Sequence, residues 1–445
     1  MSACWEALPE VVLGNVFSNL DIASKIAIRS TCLHWRRASS RPEVWKSFSY
    51  SERMIWESMF PLTMPASMED FERYRKFHEE LLFCVKMYGA FFTDVELEVK
   101  GTQSSEVFDR LSKVSHKVNS LTLLKRIEGE TFSGRLKTAI FQFCKRNVRM
   151  TNVRIDDLNF QGQKNETLPL GLGHSSCLQK LRIVNSFKDC SLSNLMYLVN
   201  LKELTINPNQ MNFSLLKHLA GCSLRQLNIM ANYKTKDFYN EALSNFHWKE
   251  IRKCGPKLRV HCQLAVLHEW TEKEILLKAS MPLSSLVYRK NRWVKCWPEL
   301  GRILSNYGDT LDELVDFSLS ERVYNHSDDM EFSDRIDEHI LDIIKCCPKL
   351  LTFTVKETLS SATILLIAFQ KRNFPNLLIR EDMIIYLNDL PDDITADVAA
   401  RNFVDNNWEK GMFCRAMSFL LGREWHPLNK AEYYQLVQAK YSELF

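Results

Sequence analysis

The chain has 445 residues, of which 45% are hydrophobic and 25% are charged, and its formal net charge is +4 from 58 basic and 54 acidic residues. These proportions are those of a globular protein and exclude a disordered chain, a fibre and a coiled coil, and so small a net charge favours no nucleic-acid partner. Because the length exceeds what a single core usually fills, we expect two or more structural units or one elongated array.

The first predicted element is a helix between Leu8 and Leu20 whose first turn contains Pro9. Proline suits that position because the N–H that it lacks would have no partner there. Large apolar residues recur on one side at helical spacing: Val12, Leu13, Val16, Phe17 and Leu20. A stripe of this width predicts a helix that buries one face.

Two further helical segments are predicted before residue 46. One runs from Ile22 to Trp35 and repeats the apolar design, and the other starts at Pro42 and ends at Trp45. Three helices within about 40 residues cannot bury a core of this apolar content alone. They need a partner surface, and the residues leave open whether that surface belongs to the same chain or to another protein.

The order of these residues resembles the F-box motif from end to end. It is carried by Leu8-Pro9, an apolar pair, Val16-Phe17, Leu20, Cys32, Trp35 and Val44-Trp45. In that family the motif docks on a Skp-type adaptor, which bridges to a cullin scaffold that carries the ubiquitin-loaded enzyme. The resemblance implies a three-helix F-box at residues 1–50, with adaptor contacts or module core at Leu8, Pro9, Val12, Val16, Phe17, Leu20, Ile22, Ile26, Cys32, Trp35 and Trp45.

Three positions depart from the common F-box pattern. Val11 stands where Glu is frequent, Lys25 where Leu is usual, and Thr31 where Val is usual. An ammonium group at an apolar contact has to extend outward to water or lower the affinity of that contact. The sequence leaves both outcomes open for Lys25.

Residues 51–90 are expected to form a helical linker and N-terminal cap, with a long helix from Met68 to a C-cap at Gly89. Short apolar alternations then recur, and period two at this length predicts strands. Their apolar positions are Phe92-Val95-Leu97, Val118-Leu121-Leu123, Met150-Val153-Ile155, Leu178-Leu181-Ile183, Leu201-Leu204-Ile206 and Leu224-Leu227-Ile229. A less regular series follows: Leu258-Val260, Leu283-Leu286-Tyr288, Leu311-Leu314-Phe317, Leu350-Phe353-Val355 and Phe374-Leu377-Ile379.

The first series is spaced by 26, 32, 28, 23 and 23 residues, close to the period of leucine-rich repeats, which is about 20 to 29 residues. Amphipathic segments between the strands are predicted to be helices, at Leu136–Phe143, Leu192–Leu198 and Phe213–Leu219. Asn185 and Asn207 follow two strands, where an amide can bond the turn backbone. We therefore expect an α/β protein with a curved leucine-rich-repeat solenoid at residues 91–385; the alternative is a conventional α/β domain with a parallel sheet.

The strand residues between the buried positions would line the concave face of such a solenoid, a surface suited to protein recognition. In the regular repeats they are Lys180, Arg182, Glu203, Thr205, Gln226 and Asn228. Residues 386–445 are expected to be a helical C-terminal cap, which includes an aromatic-rich stretch from Val398 to Trp425 and a final helix in Lys430–Phe445. That last helix could fold back onto the concave face.

The sequence offers no motif for catalysis. No hydrolase elbow, zinc-protease, phosphate-loop or dinucleotide pattern is present, and the thirteen cysteines include no CxxC pair. Neither Cys254 with His261 and Cys262 nor the pair Cys346 and Cys347 has zinc-finger spacing. We therefore expect no catalytic residue, no metal and no cofactor.

These observations predict the substrate-recognition subunit of an SCF-type ubiquitin ligase, whose F-box binds the Skp-type adaptor and whose repeats bind a target protein. The longest apolar runs are far shorter than the roughly 20 residues that span a bilayer, and no signal peptide is visible. We expect an intracellular protein of the cytoplasm or nucleus without membrane contact. One alternative is a scaffold whose target is not degraded; another is an enzyme with a deep pocket at the strand ends.

Overall fold

The structure is a computed structural model. It describes residues 5, 8–60, 67–99, 101–125, 134–158, 171–172, 175–186, 191–231, 243–264, 276–288, 301, 304–316, 332, 335–394 and 397–441. The chain divides into two compact units. Unit 1 comprises Met1–Ile206 and Ser214–Leu224, and unit 2 comprises Asn207–Phe213 and Arg225–Phe445.

Unit 1 begins with three α-helices and a 3-10 turn, which are α1 (Glu10–Ser18), α2 (Ile22–Ile28), α3 (Leu33–Ser39) and the turn Pro42–Trp45. The sequence predicted one helical segment from Ile22 to Trp35, and this prediction was wrong. The chain leaves the helix after Ile28, and α3 starts where the Cys32 sulfur accepts a hydrogen bond from the Trp35 N–H at 3.4 Å. The side chain of Cys32 thus caps a new helix.

The sheet of unit 1 contains six parallel strands in chain order: β1 (Ser47–Tyr50), β2 (Asp94–Glu98), β3 (Ser120–Leu124), β4 (Asn152–Asp156), β5 (Lys180–Val184) and β6 (Glu203–Ile206). The five strands from β2 onward lie where the apolar alternation predicts them. β1 was not predicted. It follows the 3-10 turn directly and pairs with β2, with Phe48 opposite Val95, so the end of the N-terminal helical module is part of the sheet.

The helices of unit 1 after β1 are α4 (Glu52–Met59), α5 (Met68–Tyr88), α6 (Gly101–Val114), α7 (Gly134–Arg146) and all but the first residue of α8 (Phe213–Cys222). Gly89 caps α5 as predicted, but its φ is −56°, so no left-handed turn demands glycine. A Cβ there would lie 2.4 Å from a methyl carbon of Val114. The segment predicted as a helix at Leu192–Leu198 is only a 3-10 turn, Ser193–Tyr197.

Unit 2 contains a second run of parallel strands in chain order: β7 (Gln226–Ala231), β8 (Arg259–Leu264), β9 (Leu283–Tyr288), β10 (Glu313–Asp316), β11 (Thr352–Thr354) and β13 (Asn376–Leu378). All six were predicted; of the apolar positions proposed for β10, Phe317 lies outside the described residues. Two short strands that were not predicted, β12 (Leu359–Ser360) and β14 (Ile384–Ile385), pair separately.

The described helices of unit 2 are α9 (Asn245–Cys254), α10 (Asp337–Cys346), α11 (Ser361–Gln370), α12 (Val398–Asp405), α13 (Lys410–Leu421) and α14 (Lys430–Tyr441). Eight consecutive residues of α11, from Ser361 to Ala368, are buried. A helix that is apolar on all sides is surrounded by other elements, and α11 packs against α10, α12 and α13. The predicted final helix is confirmed at Lys430–Tyr441, and residues 442–445 of that prediction lie outside the described residues.

Candidate functional site

The N-terminal helical module is anchored to the rest of unit 1 through Trp45. Its indole is fully buried and donates a hydrogen bond from Nε1 to the Ser39 carbonyl at 2.6 Å. The ring stacks on Tyr88 at the end of α5, with centroids 4.4 Å apart, and approaches Phe92 at 6.5 Å. One side of the module therefore finds its partner surface within the same chain.

Lys25 strengthens the same junction. Of the two outcomes left open by the sequence, the side chain does not take the outward one; it is 3% exposed, and Nζ donates a hydrogen bond to the Ser47 carbonyl at 3.3 Å. Burial lowers the pKa of this lysine, and the nearby Asp21 carboxylate opposes that shift. Because Ser47 is the first residue of β1, the substitution of the usual leucine links α2 to the start of the sheet.

Arg29 at the end of α2 makes a second link to α5. The guanidinium donates to the Cys84 sulfur at 2.7 Å and lies over the rings of Phe83 and Tyr88, at 5.4 and 5.2 Å. Burial raises the pKa of the Cys84 thiol, while the arginine partly offsets this effect. The neutral thiol thus acts as a buried acceptor in the packing of α2 on α5.

Four aliphatic residues of the module are exposed. On α1, Val11, Val12 and Val16 are 54, 43 and 39% exposed, and Leu33 on α3 is 62% exposed. Val11 stands where the F-box pattern often has glutamate, so this departure adds an exposed apolar side chain. We call these four residues the α1 patch. Exposed aliphatic side chains on a small helical module make it a candidate for protein contact.

The structure divides the eleven positions predicted for adaptor contact or module core into three groups. Pro9, Val12 and Val16 are exposed. Leu8, Leu20, Cys32 and Trp35 are half-buried, and Phe17, Ile22, Ile26 and Trp45 are buried. Phe17 and Trp35 pack together with ring centroids 5.3 Å apart. Helix α1 therefore turns Val12 and Val16 outward and Phe17 inward, as its stripe of apolar residues on both sides allows.

A second candidate surface lies on the polar side of the unit 1 sheet, where Asp156 binds two arginines. Both Asp156 carboxylate oxygens lie 2.9 Å from Nε of Arg182, and one lies 2.8 Å from Nε of Arg154. Arg154 and Arg182 occupy paired positions on β4 and β5, where like charges would repel. The carboxylate allows the two guanidinium groups to lie next to each other. Of the two arginines, only Arg182 was predicted as a face residue.

The other predicted face residues are distributed between the two units. In unit 1, Lys180 pairs with Glu203 at 3.1 Å across β5 and β6, and Thr205 is buried at 4% exposure. In unit 2, the Gln226 amide donates to the Asn228 side-chain oxygen at 3.0 Å on β7. The face is thus polar, and Thr205 is the least accessible of the six.

The turns after β5 and β6 contain the asparagines noted in the sequence. Asn185 has a φ of +51°, and its Nδ2 donates to the Asp157 side chain at 2.9 Å. The Nδ2 of Asn207 donates to the Met230 carbonyl at 2.8 Å. The Asn185 amide thus ties the turn after β5 to the turn after β4 in unit 1, and the Asn207 amide binds the backbone of β7 in unit 2.

In unit 2 the corresponding sheet face is covered by the chain itself. The face comprises Ser285 and Val287 on β9, Glu313 and Val315 on β10, and Thr352 and Thr354 on β11. Tyr433 of α14 packs on Val287 and Val315. Its hydroxyl donates to the Asp316 carbonyl at 3.0 Å and lies 3.0 Å from the Thr354 hydroxyl. We call this the tail-covered face and α14 the tail helix.

Within the described residues, no three or more His, Cys, Asp or Glu side chains converge as metal ligands would. None of the described helices combines the length and apolar character that crossing a bilayer requires. The cysteines noted in the sequence are separate free thiols, with Cys254 and Cys346 exposed and Cys262 and Cys347 buried. Burial raises the pKa of Cys347 to about 12, so its thiol is neutral.

Comparison with known families identifies the N-terminal module. Residues 5–51 match the family model described as F-box-like, a span of roughly a tenth of the chain that includes α1, α2, α3, the 3-10 turn and β1. No curated protein gives a significant match. The chain therefore carries an F-box-like domain, followed by α/β units built on parallel sheets. F-box domains generally bind Skp-type adaptors, which suggests an adaptor role in SCF-type ligases.

Proposed function

We propose that this protein is the substrate-recognition subunit of an SCF-type E3 ubiquitin ligase. The observation that carries the proposal is the α1 patch: the F-box-like domain packs on α5 through Trp45 and leaves Val11, Val12, Val16 and Leu33 in solvent. A Skp-type adaptor that covers this patch would link the chain to a cullin scaffold. The role requires an intracellular location, in the cytoplasm or nucleus.

We further propose that the α/β units are leucine-rich-repeat arrays. In each unit the strands follow one another in chain order without reversal, whereas a doubly wound sheet reverses its order at a switch point. Since parallel crossovers are right-handed, an unreversed order brings every connection to the same side of the sheet. In unit 1 the other side of the sheet carries Arg154, Lys180 and Arg182, and we assign this side to a partner. In unit 2 the tail helix packs on the corresponding side.

The chain contributes no chemistry of its own in this proposal. It acts by holding a target protein close to the ubiquitin donor, which raises the effective concentration of the reacting groups. The polar face of unit 1 supports this role because its side chains pair with one another at the surface, as Lys180 does with Glu203. A bound target would exchange such exposed pairs at small cost, since they contribute about 0 to 1 kcal/mol each.

Adaptor binding is tested by replacing Val12 and Val16 together with glutamate. We expect co-purification of the Skp-type adaptor to fall at least about 100-fold, because each buried, unpaired carboxylate costs several kcal/mol. The matched control is Val148→Glu with Val199→Glu, two valines of unit 1 that are 43 and 46% exposed. Binding by wild-type protein that survives Val12→Glu with Val16→Glu, or the absence of binding by wild-type protein, rejects the proposal.

A further inference from the structure

Among the side chains of the tail helix that the structure describes, Tyr433 makes the most deeply buried contact with the tail-covered face. Among the residues of α14 whose side chains are described, Tyr433 is buried at 1% exposure, Tyr434 is half-buried and the rest are exposed. Leu436, one turn further along, is 48% exposed. The ion pair between Lys440 and Glu313 spans 2.6 Å, but Lys440 is 53% exposed. Exposed pairs of this kind contribute about 0 to 1 kcal/mol.

The tail-covered face differs in composition from the polar face of unit 1. In unit 1 the outward positions of β5 hold the charged residues Lys180 and Arg182. In unit 2 the outward positions hold Val287, Val315 and the Thr354 hydroxyl, all at most 2% exposed. An apolar floor with hydroxyl and carbonyl groups at its edge suits a tyrosine, whose ring is apolar and whose hydroxyl needs a partner.

The first turn of the tail helix brings like charges together. Lys356, which is 9% exposed, lies near Arg380 and Lys430 as well as near Asp316 and Glu357. Arg380 also lies over the ring of Tyr433, 5.8 Å from its centroid. Arg380 is also paired with the Asp382 carboxylate, whereas Lys430 repels Lys356. The docked position of α14 therefore combines one buried anchor, Tyr433, with a mixed charge cluster at the first turn.

We propose that the tail helix is a displaceable internal ligand of the tail-covered face, and that the external ligand is a helix of a target protein with a tyrosine anchor. The inference rests on the proposed function, because it assigns the target to one sheet face. While α14 is docked, its Tyr433 occupies the position that the target tyrosine would take. Binding of a target then requires release of α14.

The test uses a fluorescent synthetic peptide of residues 426–445 as the probe and three full-length proteins: wild type, Tyr433→Ala and Leu436→Ala. We expect the peptide to bind Tyr433→Ala at least about 10-fold more tightly than the other two, because a tethered helix competes at high effective concentration. A peptide with alanine in place of the tyrosine at position 433 should not bind. Equal binding by wild type and Tyr433→Ala, or no binding by Tyr433→Ala, overturns the inference.

A second measurement avoids substitution altogether. Saturating peptide added to wild-type protein should increase hydrogen exchange in residues 430–441 as the tethered helix is displaced. The protection of β9 to β11 should stay as it is without peptide, because the peptide takes the place of the helix. Unchanged exchange in α14 contradicts displacement. Adaptor co-purification is measured on the same samples. If the peptide exchanges with α14 but no adaptor binds, the proposed ligase role fails while the tail-covered face stands as a helix-binding surface.

Discussion

Lys25 shows how one residue can join two elements. A lysine at a position where an F-box usually has leucine suggests an outward side chain or a weaker contact, and this ammonium lies inside and donates to the Ser47 carbonyl. Its acceptor belongs to β1, 22 residues further along the chain. The sequence could not reveal that contact, because β1 has a single short alternation, Phe48 and Tyr50, and resembles no other strand of the series.

Lys356 allows a prediction of pH dependence. Burial, together with the nearby Arg380, lowers the pKa of Lys356 to about 8 from its ordinary value of 10.5. Between these pH values the unfolded chain binds more protons than the folded chain, so the contribution of Lys356 to stability rises with pH. Below about pH 8 Lys356 is charged in both the folded and the unfolded chain, and burial of its charge lowers the free energy of unfolding by the full amount.

The substitution Lys356→Met removes this cost. We expect the variant to gain most over wild type at pH 7 and the gain to shrink progressively as the pH approaches 10.5. The free energy of unfolding from urea titrations of both proteins at pH 7, 8, 9 and 10 measures the difference. A gain that is the same at every pH would show that the ammonium is not desolvated.

Among the elements, the strands were the most predictable. All eleven apolar alternations between Phe92 and Ile379 correspond to strands, because a buried parallel strand must place large aliphatic residues at every second position. The short elements were harder. Leu192–Leu198 has the composition of a helix but contains only five helical residues, and β1 was missed because serine alternates with its aromatics.

The turn after β5 depends on Asn185. Its φ of +51° favours asparagine or glycine over other residues, and its amide bonds Asp157, which also has a positive φ of 61°. We expect Asn185→Ala to lower the free energy of unfolding by about 1 to 3 kcal/mol, from the lost hydrogen bond and the strained backbone. Asn185→Gly should lose less, since glycine tolerates the backbone. Thermal unfolding of both variants separates the two contributions.

The whole molecule presents three candidate binding surfaces, the α1 patch, the polar face of unit 1 and the tail-covered face of unit 2, and only part of this was predictable. The F-box-like domain and the strands can be recognised from local spacing, whereas the cover on the unit 2 face depends on Tyr433 meeting Asp316, which is 117 residues away in sequence. No local pattern encodes such a contact. The tail helix was predicted from the sequence, and its position on the sheet face was predicted only as one possibility.

We predict that the α1 patch and the tail-covered face bind their partners independently. In the Tyr433→Ala protein, adding Val12→Glu and Val16→Glu should abolish adaptor binding and leave the affinity for the 426–445 peptide unchanged within about twofold, because Val12 and Val16 take no part in the tail-covered face. Fluorescence anisotropy gives the peptide affinity, and co-purification gives adaptor binding. Loss of both activities together would indicate that the substitutions disrupt folding.

In the proposed ligase, strand β1 has a consequence for ubiquitin transfer. The strand ends the F-box-like domain and also pairs with β2, so the domain and the unit 1 sheet share backbone hydrogen bonds, such as that from the Thr93 N–H to the Lys46 carbonyl at 2.8 Å. Rotation of one against the other would break these bonds. Any part of a target that is held on the unit 1 sheet would therefore face the ubiquitin donor in one orientation. The target lysines that become modified would be those that point towards the donor and lie within its reach.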